Sequence, residues 1–81
     1  MIDAAQIRAA RALVEWSQGD LVARSGLSLT TVKRMENAAI GPGKSSAENV
    51  AAVQRSLEAA GIQFIPENGG GAGVRLAKPK P

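Results

Sequence analysis

The chain has 81 residues, no cysteine, no histidine and a formal net charge of +3. That length allows one small domain whose lone core is marginal, so self-association is the expected stabiliser. The missing Cys and His exclude disulfides, Cys-based metal sites and the commonest general base.

The charge is less informative than its sum. Residues 1–67 carry seven basic and seven acidic side chains, and the excess comes from Arg75, Lys78 and Lys80. There is no global basic field, so affinity for a polyanion must come from local placement of charge. The plain alternative for the basic end is a solvated tail that aids solubility. With no secretory apolar core and no long apolar run, the expected location is the cytoplasm, without a membrane partner.

In chain order, Asp3 is placed to cap a first helix with Gln6 as its capping-box partner. Ile7, Ala10 and Val14 form its apolar stripe, with Leu13 beside it and Arg8 and Arg11 on or near it. Ser17 caps a second helix over residues 18–25. Asp20 sits three residues on, Trp16 and Leu21 are spaced as a hydrophobic staple, and Gly26 is suited to the stop. Ser28 caps a third helix over residues 29–37, with Leu27 and Val32 as the second staple. Val32 and Met35 are three apart and face inward, which leaves Leu29, Thr30, Lys33 and Arg34 outward.

Residues 38–44, AAIGPGK, read as a loop because Pro42 and two glycines discourage helix, with Ile40 expected to return to the core. Ser45 and Glu48 are the expected capping box of a fourth helix. Val50, Val53 and Leu57 are its inward stripe, extended by Ala60, and Gly61 is its stop. The period then changes. Ile62-Gln63-Phe64-Ile65 is β-prone, residues 66–73 form a flexible turn with an Asn-Gly step, and Val74-Arg75-Leu76 alternates. The expected product is an antiparallel hairpin with Ile62 and Phe64 on the face of Val74 and Leu76. A lone hairpin is marginal in water, so it must pack on the helices or pair with a second chain. Ile62, Phe64, Val74 and Leu76 are therefore the candidate dimerisation residues. Three parts are expected: a helical domain over 1–61, the hairpin over 62–77 and a disordered basic tail over 78–81.

Residues 18–37 resemble the helix-turn-helix of the XRE/Cro-type regulators, the lambda repressor-like family. Ser17-Gln18, Leu21, Gly26, Ser28, Thr31-Val32 and Glu36-Asn37 carry the resemblance, which covers roughly residues 6–61. It implies a mainly α fold: a four-helix lambda-repressor-like domain, here followed by the hairpin. Three positions depart from the family pattern. Val22 stands where Ala is usual at the helix crossing, Gly19 sits in a first turn, and Ala38 replaces a Gly. Asn37 is then expected to take the left-handed exit itself. The segment FIPENGGGAGVRL also resembles, more weakly, the C-terminal part of some small bacterial regulators of this family.

The resemblance implies that Arg11 pairs with Glu36, tying the first helix to the third; the alternative for Arg11 is a phosphate contact. It also implies that Gln18 contacts a phosphate and orients a neighbouring base contact, against the plain reading of a solvated first-turn glutamine. Ser28, Leu29 and Thr30 begin the helix that would reach base edges. Ser28 suits a phosphate. Leu29 and Thr30 suit thymine methyls, though an exposed Leu is also common. Thr31 meets a phosphate or bonds back to its own helix. Arg34 is the first choice for guanine O6 and N7, and Lys33 for a base or a phosphate. A charged, solvated helix face is the alternative for both. Lys44 lies in a region that touches backbone or minor groove in the family.

No constellation for catalysis or metal binding is present, and no cofactor is expected. The Gly69-Gly70-Gly71 run lacks the GK[ST] register and the strand-to-helix context of a phosphate loop. The expected function is a sequence-specific DNA-binding regulator, a homodimeric repressor on an inverted repeat. With no ligand domain in these residues, control is expected from concentration, promoter geometry or a protein partner. The rival expectation is a protein-interaction module, an antitoxin-like or anti-activator subunit, with DNA binding secondary.

Overall fold

A computed structural model describes residues 2–77. The four helices are α1 (Ala4–Leu13), α2 (Gln18–Ser25), α3 (Leu29–Glu36) and α4 (Ala47–Ala59), with one 3-10 turn at Pro42–Lys44 before α4. Two strands follow, β1 (Ile62–Ile65) and β2 (Gly73–Leu76), paired antiparallel. The protein is thus mainly helical with one two-stranded hairpin. The expected tail over residues 78–81 lies outside the described residues.

Local chemistry sets the helix starts. Asp3 and Gln6 form a reciprocal capping box, with bonds of 2.8 and 2.9 Å, and Ser17 and Asp20 form another. Each box satisfies two backbone donors that the helix cannot. The Ser28 hydroxyl accepts from the Thr31 N–H and donates to the Thr31 hydroxyl. Gly26 ends α2 at φ 76°, and Gly61 follows α4 at φ 105°. These are left-handed or mirror-region values that glycine adopts without a Cβ clash.

The third-to-fourth helix connection departs from expectation at three points. Asn37 is extended (φ −81°, ψ 122°), and the positive φ falls on Gly41 instead, at 73°. Asn37 turns the chain with its side chain, accepting from the Ala39 N–H, while its carbonyl accepts from Ile40 and Gly41. Ile40 is left 40% exposed, and Pro42 is the buried residue of this loop. The Ser45 N–H closes the 3-10 turn onto Pro42, which moves the cap of α4 to Ser46. The Ser46 hydroxyl accepts from Asn49, and Glu48 has no part in a capping box.

Every helix contributes to one core. Ile7, Leu21, Val32, Met35, Val53 and Leu57 are fully buried, and Ala10, Val50 and Ile62 join them. Each such aliphatic side chain contributes roughly 1.5–3 kcal/mol by leaving water. Trp16 and Leu27, the outer members of the two staples, pack against the cluster.

The hairpin pairs Ile62 with Leu76 and Phe64 with Val74, so these four share a face. That face turns onto the chain's own helices. Ile62 is 3% exposed, Phe64 and Val74 pack on the core, and Leu76 remains 45% exposed. Three of the four candidate dimerisation residues are therefore engaged within one chain. Gln6 anchors the loop end of the hairpin: its buried amide donates to the carbonyls of Ile65 and Gly73 at 3.2 and 2.9 Å. At the other end the Ala77 N–H donates to the Gly61 carbonyl. Among the described residues no helix is long and apolar enough to cross a membrane.

Candidate nucleic-acid interface

The face in question is the outer side of α3. Val32 and Met35 are fully buried, and that anchors the helix by one stripe. The opposite positions Leu29, Thr30, Lys33 and Arg34 are all exposed, with Leu29 at 43%. Burial of the inner stripe dictates the outer one, because residues three and four apart share a helix face.

The C-terminal end of α3 is held by a buried charge network. Glu36 is 5% exposed as a residue, and its carboxylate takes Arg11 Nε at 2.6 Å and Arg11 Nη2 at 2.9 Å. Gln18 Nε2 donates to the same carboxylate at 3.1 Å. Arg8 donates to the Glu36 backbone carbonyl, and Arg11 Nη1 to the Trp16 carbonyl at 2.8 Å. The Glu36 hydrogen bond, helped by Coulomb attraction and opposed by partial burial, raises the pKa of the Arg11 guanidinium above its ordinary value. One carboxylate therefore joins α1, α2 and α3. Among the described residues no buried side-chain N or O atom lacks a hydrogen-bond partner.

Arg8 was legible only as a residue near the α1 stripe; its place on the last carbonyl of α3 comes from the fold. A cation there suits the negative end of the helix dipole. Gln18 is half-buried at the start of α2. Its bond to Glu36 uses one amide hydrogen and leaves the other hydrogen and the carbonyl oxygen without a partner among the described residues.

A cleft lies beside α3. Thr31, Arg34, Lys44 and Ser46 line it with Asn49 and Ile40, in a volume of about 480 Å³. The fold thus brings together Thr31, Arg34 and Lys44, three of the candidate residues. Ile40, Ser46 and Asn49 were not singled out by sequence for this face, because the turn that presents them is set by Asn37 and Gly41. Leu29, Thr30 and Lys33 lie on the adjoining helix surface outside this cleft.

The single ion pair among the described residues is Arg11–Glu36. Lys33, Arg34 and Lys44 are therefore cations without an acidic partner among those residues. Together with the hydroxyls of Thr30, Thr31 and Ser46, they make a surface of donors suited to phosphate oxygens and base-edge acceptors. Among the described residues no group of three or more acidic side chains is placed to hold a metal ion. No protein-family model matches the chain, and no curated protein matches it in sequence.

Proposed function

We propose that this protein is a DNA-binding transcriptional regulator with a lambda repressor-like helix-turn-helix, in which α2 supports α3 and α3 enters the major groove. One observation carries the reading: α3 hides Val32 and Met35 and leaves Thr30, Lys33 and Arg34 in water. A helix of this kind reads base edges from its N-terminal and central residues. Arg34 donates in a bidentate pair to guanine O6 and N7, and Leu29 and Thr30 meet thymine methyls. Lys33 takes a base or a phosphate. Ser28, Lys44 and the remaining amide hydrogen of Gln18 position the backbone, as phosphate contacts do.

The balance of charge over residues 1–67 limits nonspecific affinity, since few cations are available to displace counterions. Two copies on an inverted repeat, with α3 helices about 34 Å apart, double the contact and supply the missing affinity. Repression by occupying a promoter is the simplest outcome of such binding.

The test is an electrophoretic shift with DNA from upstream of the protein's own gene, against a scrambled competitor. Specific retention at moderate salt is expected. Equal competition by both DNAs would remove the sequence-specific reading. The same charge balance favours the rival, a module that binds another protein, and failure to shift any DNA would support it.

A further inference from the structure

One end of the molecule keeps apolar surface in water that the fold does not require there. Leu13 and Leu76 are 43% and 45% exposed, although Leu13 lies one turn after buried Ala10 and Leu76 pairs with buried Ile62. With half-buried Trp16 and Ala60 they line a cleft of about 460 Å³ where the end of α1, α4 and the hairpin meet. Exposed leucines are ordinary singly, but two leucines and an indole in one depression form a patch.

Two opposite charges line the same cleft. Arg24 lies over the Trp16 ring, 5.0 Å from its centroid, and this contact directs the guanidinium across the indole. Glu15 is held by the exit of α1. The Trp16 N–H donates to the Arg11 carbonyl and the Glu15 N–H to the Ala12 carbonyl, which leaves Glu15 at φ 57°. Glu15 and Arg24 are both exposed, and they make no ion pair with each other. Arg24 is thus held beside Trp16 by its side chain and Glu15 by its backbone, and neither has an ion-pair partner among the described residues.

A surface with an apolar floor and one charge of each sign is complementary to itself after a two-fold rotation. Residue i then meets residue j, and j meets i. We infer that this cleft is where two copies of the chain pair, with Glu15 of one against the partner's Arg24 and Leu13, Trp16 and Leu76 buried between them. The contact includes Leu76, the one candidate dimerisation residue that the fold leaves exposed. It rests on the homodimer of the proposed function and not on how DNA is read. A second copy satisfies both charges with one contact type, whereas a partner of single-sign charge would leave one of them facing its like.

The experiment is a charge exchange followed by sedimentation velocity on the full chain. Glu15→Arg alone sets Arg against Arg, and Arg24→Glu alone sets Glu against Glu. Each is expected to raise the dimer dissociation constant about tenfold or more, because like charges at a contact are costly. An equimolar mixture of the two variants restores both contacts and is expected to recover the dimer mass. Circular dichroism checks that each variant folds. If Arg24→Glu does not fold, Leu76→Arg replaces it, with loss of dimer expected.

A wild-type dimer that ignores these substitutions, or a mixture that does not recover, overturns the inference and leaves the homodimer standing. A wild type that sediments as a monomer at every concentration overturns both. Reading of DNA is judged separately by the shift assay, since none of these residues is assigned to the DNA face.

Discussion

The Arg11 guanidinium grips the Glu36 carboxylate through two nitrogens, 2.6 and 2.9 Å away, across 25 residues of chain. Glu36 is the last residue of α3, and its carboxylate is nearly sealed from water. A buried charge with one partner removed is left uncompensated, at a cost of about 3–5 kcal/mol. Arg11→Met or Glu36→Ala is expected to lower stability by that order in urea titrations. Joint replacement by apolar residues should cost less than the sum of the two.

The pKa of Arg11 is raised by this contact, so the sign of its linkage is set. A base with a raised folded pKa contributes fully below its unfolded pKa and loses the contribution as pH rises through the folded value. That window lies far into alkali. The stability gap between wild type and Arg11→Met should therefore stay constant from neutral to mildly alkaline pH. A gap that closes in this range would mean that the guanidinium does not carry the contact.

Arg34→Ala is expected to weaken specific DNA binding by about 1–3 kcal/mol and to relax preference at one base position. A panel of single-base operator variants measures this. Uniform weakening on every sequence would place Arg34 on phosphate instead.

Glu15 occupies a left-handed position at the exit of α1, where the Trp16-to-Arg11 and Glu15-to-Ala12 bonds follow the pattern of a helix stop usually made by glycine. A non-glycine residue there is strained by about 1–2 kcal/mol. Part of that returns on substitution, because glycine loses more entropy on folding. Glu15→Gly is expected to raise the melting temperature of the monomer by a few degrees, read by calorimetry at a concentration below dimer formation.

Gln6 joins the start of α1 to both strands of the hairpin. Gln6→Leu removes both donors and leaves two carbonyls short of a partner, at about 1–3 kcal/mol. Hydrogen exchange should quicken at β1 and β2 amides while α2 and α3 keep their protection. Equal quickening everywhere would show that the hairpin and helices open as one unit.

Much of this architecture was legible in the order of residues alone. Ser17, Gly26 and Ser28 mark helix boundaries through bonds to backbone groups within a few residues, and such bonds need no knowledge of the fold. The inward stripes of α3 and α4 follow from helical period, and the shared face of Ile62, Phe64, Val74 and Leu76 from strand period. These signals also named the outer face of α3, since a helix that hides Val32 and Met35 must present Lys33 and Arg34.

Tertiary structure decided the rest. Gln6 reaches carbonyls 59 and 67 residues away, and Arg8 reaches one 28 residues away. No local pattern encodes which distant groups will be left needing a donor. The burial of Pro42 rather than Ile40, and the shift of the α4 cap to Ser46, depended on how a short turn was bent to span two packed helices. Whether the hairpin's apolar face met its own helices or another chain also lay beyond strand period. Burial of Ile62 in the same cluster as Val53 and Leu57, with β1 against α4, is what resolved it.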